Sequence, residues 1–347
     1  MRTEFTSLAI VGVAACIAVY ALTQSPKTSS LYTVNNLSSE DMAFVRYVSK
    51  YSKSYGTKEE FSFRAETFKN TLAKIAEENS KNDNEFYLGV NKFADWTPAE
   101  YKKLLSYKPS GKARIAPALT QSTEELLKDL PVSIDWRTKG AVNPIKDQGQ
   151  CGSCWAFSAV GAIEGRFQIK NGTLYSLSEQ QLVDCCRGDP YTSLGCDGGE
   201  MPEGIQYSQA KGMMNETSYP YTALDGTCNY DATKVIVTSL GEQAVTANSS
   251  VALKAAVAEG PVSVAIEADK LVFQFYQGGV LNTATCGTEL DHGVVVVGYG
   301  ATASGKEYYI VRNSWGPDWG VGGYINVAIV DGMGICGIQM QPSIALF

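Results

Sequence analysis

All but one of the nine cysteines in this 347-residue chain fall between Cys151 and Cys336, the exception being Cys16. Whether those eight can cross-link decides which folds are open to the chain, and that depends on the compartment in which it folds. At the N-terminus, Met1-Arg2 precedes an apolar run from Leu8 to Leu22 and a polar exit, Thr23-Gln24-Ser25-Pro26. About fifteen apolar residues fall short of a membrane-spanning helix but suit the core of a secretory signal. Residues 1–23 are therefore read as a signal peptide rather than a single-pass anchor, and no stable membrane anchor remains after its removal. Cleavage would discard Cys16 and leave eight cysteines where disulfides form. Asn-x-Ser/Thr acceptors at Asn36, Asn171, Asn215 and Asn248 are compatible with that route.

The length predicts two or three folding units. Up to Asp129 there are 17 Lys and Arg against 15 Asp and Glu, whereas beyond it there are 12 against 21, a net −9. An acidic back portion without a basic cluster excludes nucleic acid as a partner, because phosphates require facing positive charge.

The chain holds a single histidine, His292, hence one side chain suited to proton transfer near neutral pH. It opens the run His292-Gly293-Val294-Val295-Val296-Val297-Gly298, which reads as a buried strand. Upstream stands Gln148-Gly149-Gln150-Cys151-Gly152-Ser153-Cys154-Trp155, followed by an apolar, proline-free run to Glu164 with helical residue choices. Cys154 is thus placed on the first turn of a buried helix, whose positive end favours sulfur anion by about 1 kcal/mol. The Cys-x-x-Cys pair also admits a redox or zinc reading. The first lacks a βαβ context and the second lacks a further ligand pair, so no metal or cofactor is called for.

The string Cys151-Gly152-Ser153-Cys154-Trp155, with His292 lying 138 residues beyond Cys154 and Asn313-Ser314-Trp315-Gly316 further on, resembles papain-like cysteine peptidases of the cathepsin L type. The resemblance spans roughly Ser38 to Phe347. It includes Glu60, Arg64, Phe68, Thr71, Ile75 and Asn79, a stripe on one helix face that matches the family's inhibitory prosegment except for Thr71, where the family has Asn. Gly89, Asn91, Phe93 and Asp95 match a second prosegment signature. From Ser106 to Leu130 the composition turns to Pro, Gly, Lys, Ala, Ser and Thr and reads as a linker. The expected organisation is signal peptide 1–23, helical inhibitory propeptide 24–129 and peptidase domain 130–347.

The resemblance implies an α+β, two-lobe papain-like fold, with a helical lobe carrying Cys154 and a β-barrel-like lobe carrying His292, preceded by the helical prodomain. It implies a zymogen of a cysteine endopeptidase. Cys154 would be the nucleophile with a lowered thiol pKa, His292 the proton carrier, Asn313 the orienting residue and Gln148 the oxyanion donor. Gly198 and Gly199 would bind substrate backbone. Met201, Ala265, Leu290, Gly293 and Gln341 would line the pocket for the second side chain before the cut bond, favouring Leu or Phe. Disulfides Cys151–Cys196, Cys185–Cys228 and Cys286–Cys336 are implied, leaving Cys186 over, although the residues themselves leave an exchange between Cys185 and Cys186 open. Expected partners are peptide and protein substrates and the chain's own prosegment, the enzyme being a monomer of the secretory pathway, lysosomal, vacuolar or extracellular. An occluding loop of the kind that makes exopeptidases needs histidines this chain lacks. An idle binding protein has no chemical need for all four catalytic residues, and the prosegment motifs disfavour a transglutaminase-type acyltransferase. Opposite charges on prosegment and enzyme suggest maturation triggered by acid.

Overall fold

A computed structural model describes residues 38–81, 84–111, 128 and 130–347, which fall into two compact units divided between Lys53 and Ser54. The expected signal peptide, Asn36, most of the expected linker and one side of the 129/130 boundary lie outside the described residues. In the first unit, helix α1 (Ser39–Lys50) starts at a capping box: the Ser38 hydroxyl accepts the Asp41 N–H and the Asp41 carboxylate accepts that of Ser38.

The second unit begins with α2 (Lys58–Asn79), which carries the conspicuous stripe. Phe68, Thr71 and Ile75 are buried, and Arg64 reaches Glu100 through two bonds of 2.7 and 2.6 Å. Asn79 exchanges both amide bonds with the Leu88 main chain, at 2.8 and 2.9 Å, which pins strand β1 (Phe86–Leu88) against the helix. The departure at Thr71 is accommodated locally, since its hydroxyl returns to the Thr67 carbonyl at 3.0 Å. Helix α3 (Pro98–Lys102) is capped by Thr97 and Glu100.

The rest of this unit runs β2 (Ile134–Asp135), α4 (Cys154–Asn171), α5 (Glu179–Cys185), α6 (Met201–Lys211), β3 (Met213–Met214), β4 (Val235–Val237), β5 (Gly241–Ala244), α7 (Ser250–Glu259), β6 (Val262–Ile266), α8 (Leu271–Gln274), β7 (Tyr276–Gly279), β8 (His292–Ala301), β9 (Glu307–Arg312), β10 (Tyr324–Ala328) and β11 (Ser343–Leu346). Three helices are grouped ahead of most of the strands, and the strands form an antiparallel sheet, so the fold is α+β. The main sheet is antiparallel, ordered β10-β9-β8-β6-β11-β5, with β2 added against β8. Helix α4 is buried all round from Cys154 to Gly165 and is apolar there except for Ser158 and Glu164, and Gly172 ends it in the left-handed region at φ 81°. Its Trp155, Val160 and Ile163 form one core with Leu182 of α5 and Ile205 of α6. Disulfides join Cys151–Cys196, Cys185–Cys228 and Cys286–Cys336, and the free thiols among the described residues are Cys154 and Cys186, both buried. Among the described residues no helix is long and apolar enough to cross a membrane.

Candidate active site

Cys154 is the first residue of α4, and His292 is the first of β8, paired with Ile266 of β6. Asn313 follows β9 directly, and Gln148 lies in the loop before α4. The structure brings His292 and Asn313 together at 2.8 Å between Nε2 and Oδ1. Asn313 Oδ1 also accepts the Ser314 N–H at 2.8 Å, so it is the acceptor and His292 Nε2 carries the proton. In neutral imidazole Nδ1 is then the basic nitrogen, and it is buried without a hydrogen-bond partner. Trp315 stacks on the ring with centroids 4.7 Å apart, screening the His292–Asn313 bond from water.

The Gln148 carboxamide is oriented by its neighbours. Its Oε1 accepts from the Ser314 hydroxyl at 2.8 Å and from the Trp315 indole, a donor only, at 3.1 Å. Nε2 therefore faces the carbonyls of Cys151, at 2.9 Å, and Leu104, at 3.0 Å. Leu104 lies just after α3, in the part of the chain expected to be the propeptide, so a peptide oxygen already occupies the donor expected to bind developing negative charge.

The stretch that composition marks as the start of a linker is instead seated along this site. Ser106 Oγ bonds to the Gly152 carbonyl at 2.5 Å and lies 4.0 Å from Cys154 Sγ. The Gly199 N–H donates to Ser106 O and the Gly199 carbonyl accepts from Lys108 N, at 3.2 and 3.0 Å, in a parallel bridge. The Tyr107 N–H bonds to the Asp291 carbonyl at 2.9 Å. Gly198 sits at φ 115°, and a Cβ there would collide with the Ser106 carbonyl. Tyr107 joins the buried core that includes Met201 and Ala265 and against which Leu290 packs, and its hydroxyl meets the Gln341 carboxamide. Gly293 lines the same region, where a Cβ would come within 3.1 Å of Met201 Sδ. Composition cannot reveal this placement, because Pro, Ser and Lys mark absent periodicity and not absent contacts.

Covering the site changes its electrostatics. Burial pushes the Cys154 thiol up, against hydrogen bonds from Gly293 and Ser106, and burial pushes His292 down to about 4, against its bond to Asn313. The expected lowered thiol pKa is thus corrected for the covered site. With water excluded by the prosegment, the neutral thiol–imidazole pair is favoured over the ion pair. Asp291, next to His292, is raised to about 7 by burial, partly offset by the Ala268 N–H.

Further prosegment contacts surround the site. Phe93 and Tyr101 meet Trp315 edge-on at 5.5 and 5.6 Å, Asn91 donates to the Gln274 carbonyl at 2.7 Å, and β1 pairs with β7. Residue-type reasoning did not single out Ser106, Tyr107 or Ser314 as parts of the site. Ser314 carries a signal in its place inside the Asn313-Ser314-Trp315-Gly316 motif, whereas Ser106 and Tyr107 carry none, since the partners they meet are far away in sequence.

Residues 130–346 match the model of the papain family cysteine protease, and residues 44–101 match the cathepsin propeptide inhibitor domain. The chain is similar to the thiol protease SEN102 of Hemerocallis, with 44% identity over 90% of this chain and 88% of that one. It is also similar to the senescence-specific cysteine protease SAG39 of Oryza sativa subsp. japonica, at 43% over 86% and 88%. Among solved structures, a recombinant stem bromelain precursor superposes with a TM-score of 0.80 at 34% identity, covering 89% of this chain and 99% of that chain. Digestive procathepsin L 3 of Tenebrio molitor larval midgut gives 0.80 at 36%, covering 90% and 100%. With the thiol at a helix start, the imidazole held by an amide and a prosegment laid over both, the chain belongs to the papain family of cysteine proteases, as a cysteine endopeptidase made in zymogen form.

Proposed function

We propose that Cys154 is the nucleophile of this endopeptidase, His292 its proton carrier through Nδ1, Asn313 the residue orienting the ring, and Gln148 with the Cys154 N–H the oxyanion donors. The observation that carries this is the pair of bonds on Asn313 Oδ1, because they leave the basic nitrogen as the one free to take a thiol proton. Once the prosegment leaves, water returns to the cleft, the burial penalty falls and the charged pair becomes accessible. Thiolate then attacks the substrate carbonyl, His292 protonates the leaving amine, and water hydrolyses the thioester.

Prosegment geometry supports inhibition without cutting. The carbonyl on Gln148 belongs to Leu104, whereas the residue against the sulfur is Ser106, so the oxyanion contact and the thiol contact fall on residues two apart. The Gly199 bridge is parallel, and a chain running the other way would present the antiparallel ladder to the same N–H and carbonyl. Gly198 and Gly199 are read as the backbone-binding edge, with Met201, Ala265, Leu290, Gly293 and Gln341 as the pocket for a large side chain such as Leu or Phe. Tyr107 in that pocket supports an apolar wall with one polar end.

The mature domain is placed at 130–347, after a signal peptide at 1–23 and a propeptide at 24–129. The enzyme acts as a monomer on peptides and proteins, in a vacuole or lysosome or outside the cell. Maturation is acid-triggered. A Phe-Arg amide reporter tests the core of this reading: processed enzyme cleaves it, Cys154→Ala abolishes cleavage, and Gln148→Ala lowers kcat by about 100-fold. Undiminished cleavage by Cys154→Ala sinks it. Processed enzyme that strongly prefers Arg over Phe or Leu at the second position before the cut overturns the pocket assignment.

A further inference from the structure

Tyr221 lies outside every motif to which a role has been given, yet it touches both sides of the oxyanion site. Its hydroxyl is 2.8 Å from the Gln148 main-chain carbonyl and 2.6 Å from Ser153 Oγ. A phenol has one hydrogen, and a carbonyl can only accept. Tyr221 therefore donates to Gln148 O, and Ser153 donates to Tyr221. Ser153 occupies the N-cap of α4, where a serine hydroxyl ordinarily accepts a first-turn N–H. Here no such bond exists, the backbone stands at φ −104° and ψ 14°, and the Ala156 N–H goes to the Ser153 carbonyl instead, at 2.8 Å. Tyr221 has drawn the hydroxyl away from capping.

The phenol ring is itself fixed. It meets Phe157 of α4 edge-on with centroids 4.9 Å apart, and its own main-chain N–H donates to Glu216 at 2.8 Å. One stiff side chain thus spans from the loop bearing Gln148 to the residue preceding Cys154. We infer that Tyr221 is a positioning residue for the oxyanion site, setting the separation between the Gln148 amide and the Cys154 N–H without touching substrate. The inference rests on the reading of Gln148 as an oxyanion donor.

The experiment compares processed enzyme from full-length parent, Tyr221→Phe, Gln148→Ala and the double variant. Turnover of the Phe-Arg reporter is read alongside alkylation of the thiol by iodoacetamide across pH, a reaction that needs no oxyanion donor. Tyr221→Phe should lower kcat about tenfold with KM changed less than about twofold and the alkylation profile unmoved. In the Gln148→Ala background the same change should cost less than about twofold, because its target is gone. Ser153→Ala should show the same signature and serves if Tyr221→Phe does not fold. An unchanged kcat, an equal loss with and without Gln148, or a displaced alkylation profile would overturn the inference. Unchanged turnover in Gln148→Ala overturns the donor reading and this inference with it, whereas loss there but none in Tyr221→Phe overturns the inference alone.

Discussion

His292 shows how strongly one side chain is bound to its surroundings. Its ring is buried, stacked on Trp315 and tied to Asn313. Since burial lowers its pKa to about 4, the unfolded chain binds the proton first as pH falls below about 6.5. The His292 contribution to zymogen stability is therefore full above that range and is lost as pH drops toward 4, by up to about 3 kcal/mol, while Asp291, raised to about 7, contributes in the opposite sense across the same window. Thermal unfolding of the Cys154→Ala zymogen with and without His292→Gln isolates this contribution: the stability of the variant that keeps His292, relative to the one that lacks it, should fall as pH drops from about 6.5 to 4. The raised thiol makes a companion prediction. Iodoacetamide should alkylate the intact zymogen far more slowly at about pH 6 than the processed enzyme, and equal rates would mean that the prosegment does not govern the thiol. Asn313→Ala should lower kcat by about 10–100-fold, checked with the reporter, because the imidazole loses its orienting acceptor. Residue types in context mark Cys154, His292 and Asn313 in the bare sequence. The atom each one faces is not marked there, since the tautomer depends on how the Asn313 amide is turned toward His292 and the sulfur's environment on Ser106, which folding alone brings near.

Among the elements, α2 is the most legible, because a stripe at steps of three and four can only line one face of a helix. Strand β1 escapes such reading: three residues give no period, and its pairing with β7 lies far off in sequence. The joint between α2 and α3 resists acid. Glu100 is lowered to about 2, chiefly by Arg64, so its contribution is complete above the usual carboxylate pKa and is lost only as pH falls from about 4.5 toward 2. Glu100→Gln should destabilise the zymogen by about 1–2 kcal/mol at pH 5 to 7, a value reduced for partial exposure, and by little near pH 2. An undiminished effect at pH 2 would contradict that assignment. On the peptidase side, Glu203 of α6 collects both the N–H and hydroxyl of Thr192 and of Ser193, and Ser193 Oγ accepts the Glu200 N–H beside Gly199. Glu203→Gln replaces an acceptor with a donor facing donors. It should raise KM several-fold for extended peptides and affect thiol alkylation little.

For the whole molecule, the charge asymmetry in the composition becomes specific contacts. Lys92 meets Asp147 at 2.5 Å and Lys102 meets Asp269 at 3.8 Å, prosegment cations on peptidase carboxylates, while Lys306 meets Glu85 with the signs reversed. These pairs are partly exposed, so each contributes little and all are screened by salt. Lys92→Gln should shorten the maturation lag at neutral pH, with gel electrophoresis following conversion, and moderate salt should mimic it. The sign of the asymmetry can be counted from the sequence, but not that one of its pairs, Lys92 with Asp147, falls next to Gln148.

The parallel bridge at Gly199 also bears on how the first mature molecule arises. A strand threaded backwards presents no scissile bond to the cysteine it covers, so conversion must begin with a neighbouring molecule or with the strand's temporary withdrawal. Cutting by neighbours makes the onset accelerate with protein concentration and with a trace of finished enzyme, whereas withdrawal alone makes it independent of both. Dilution series of the zymogen distinguish the two routes.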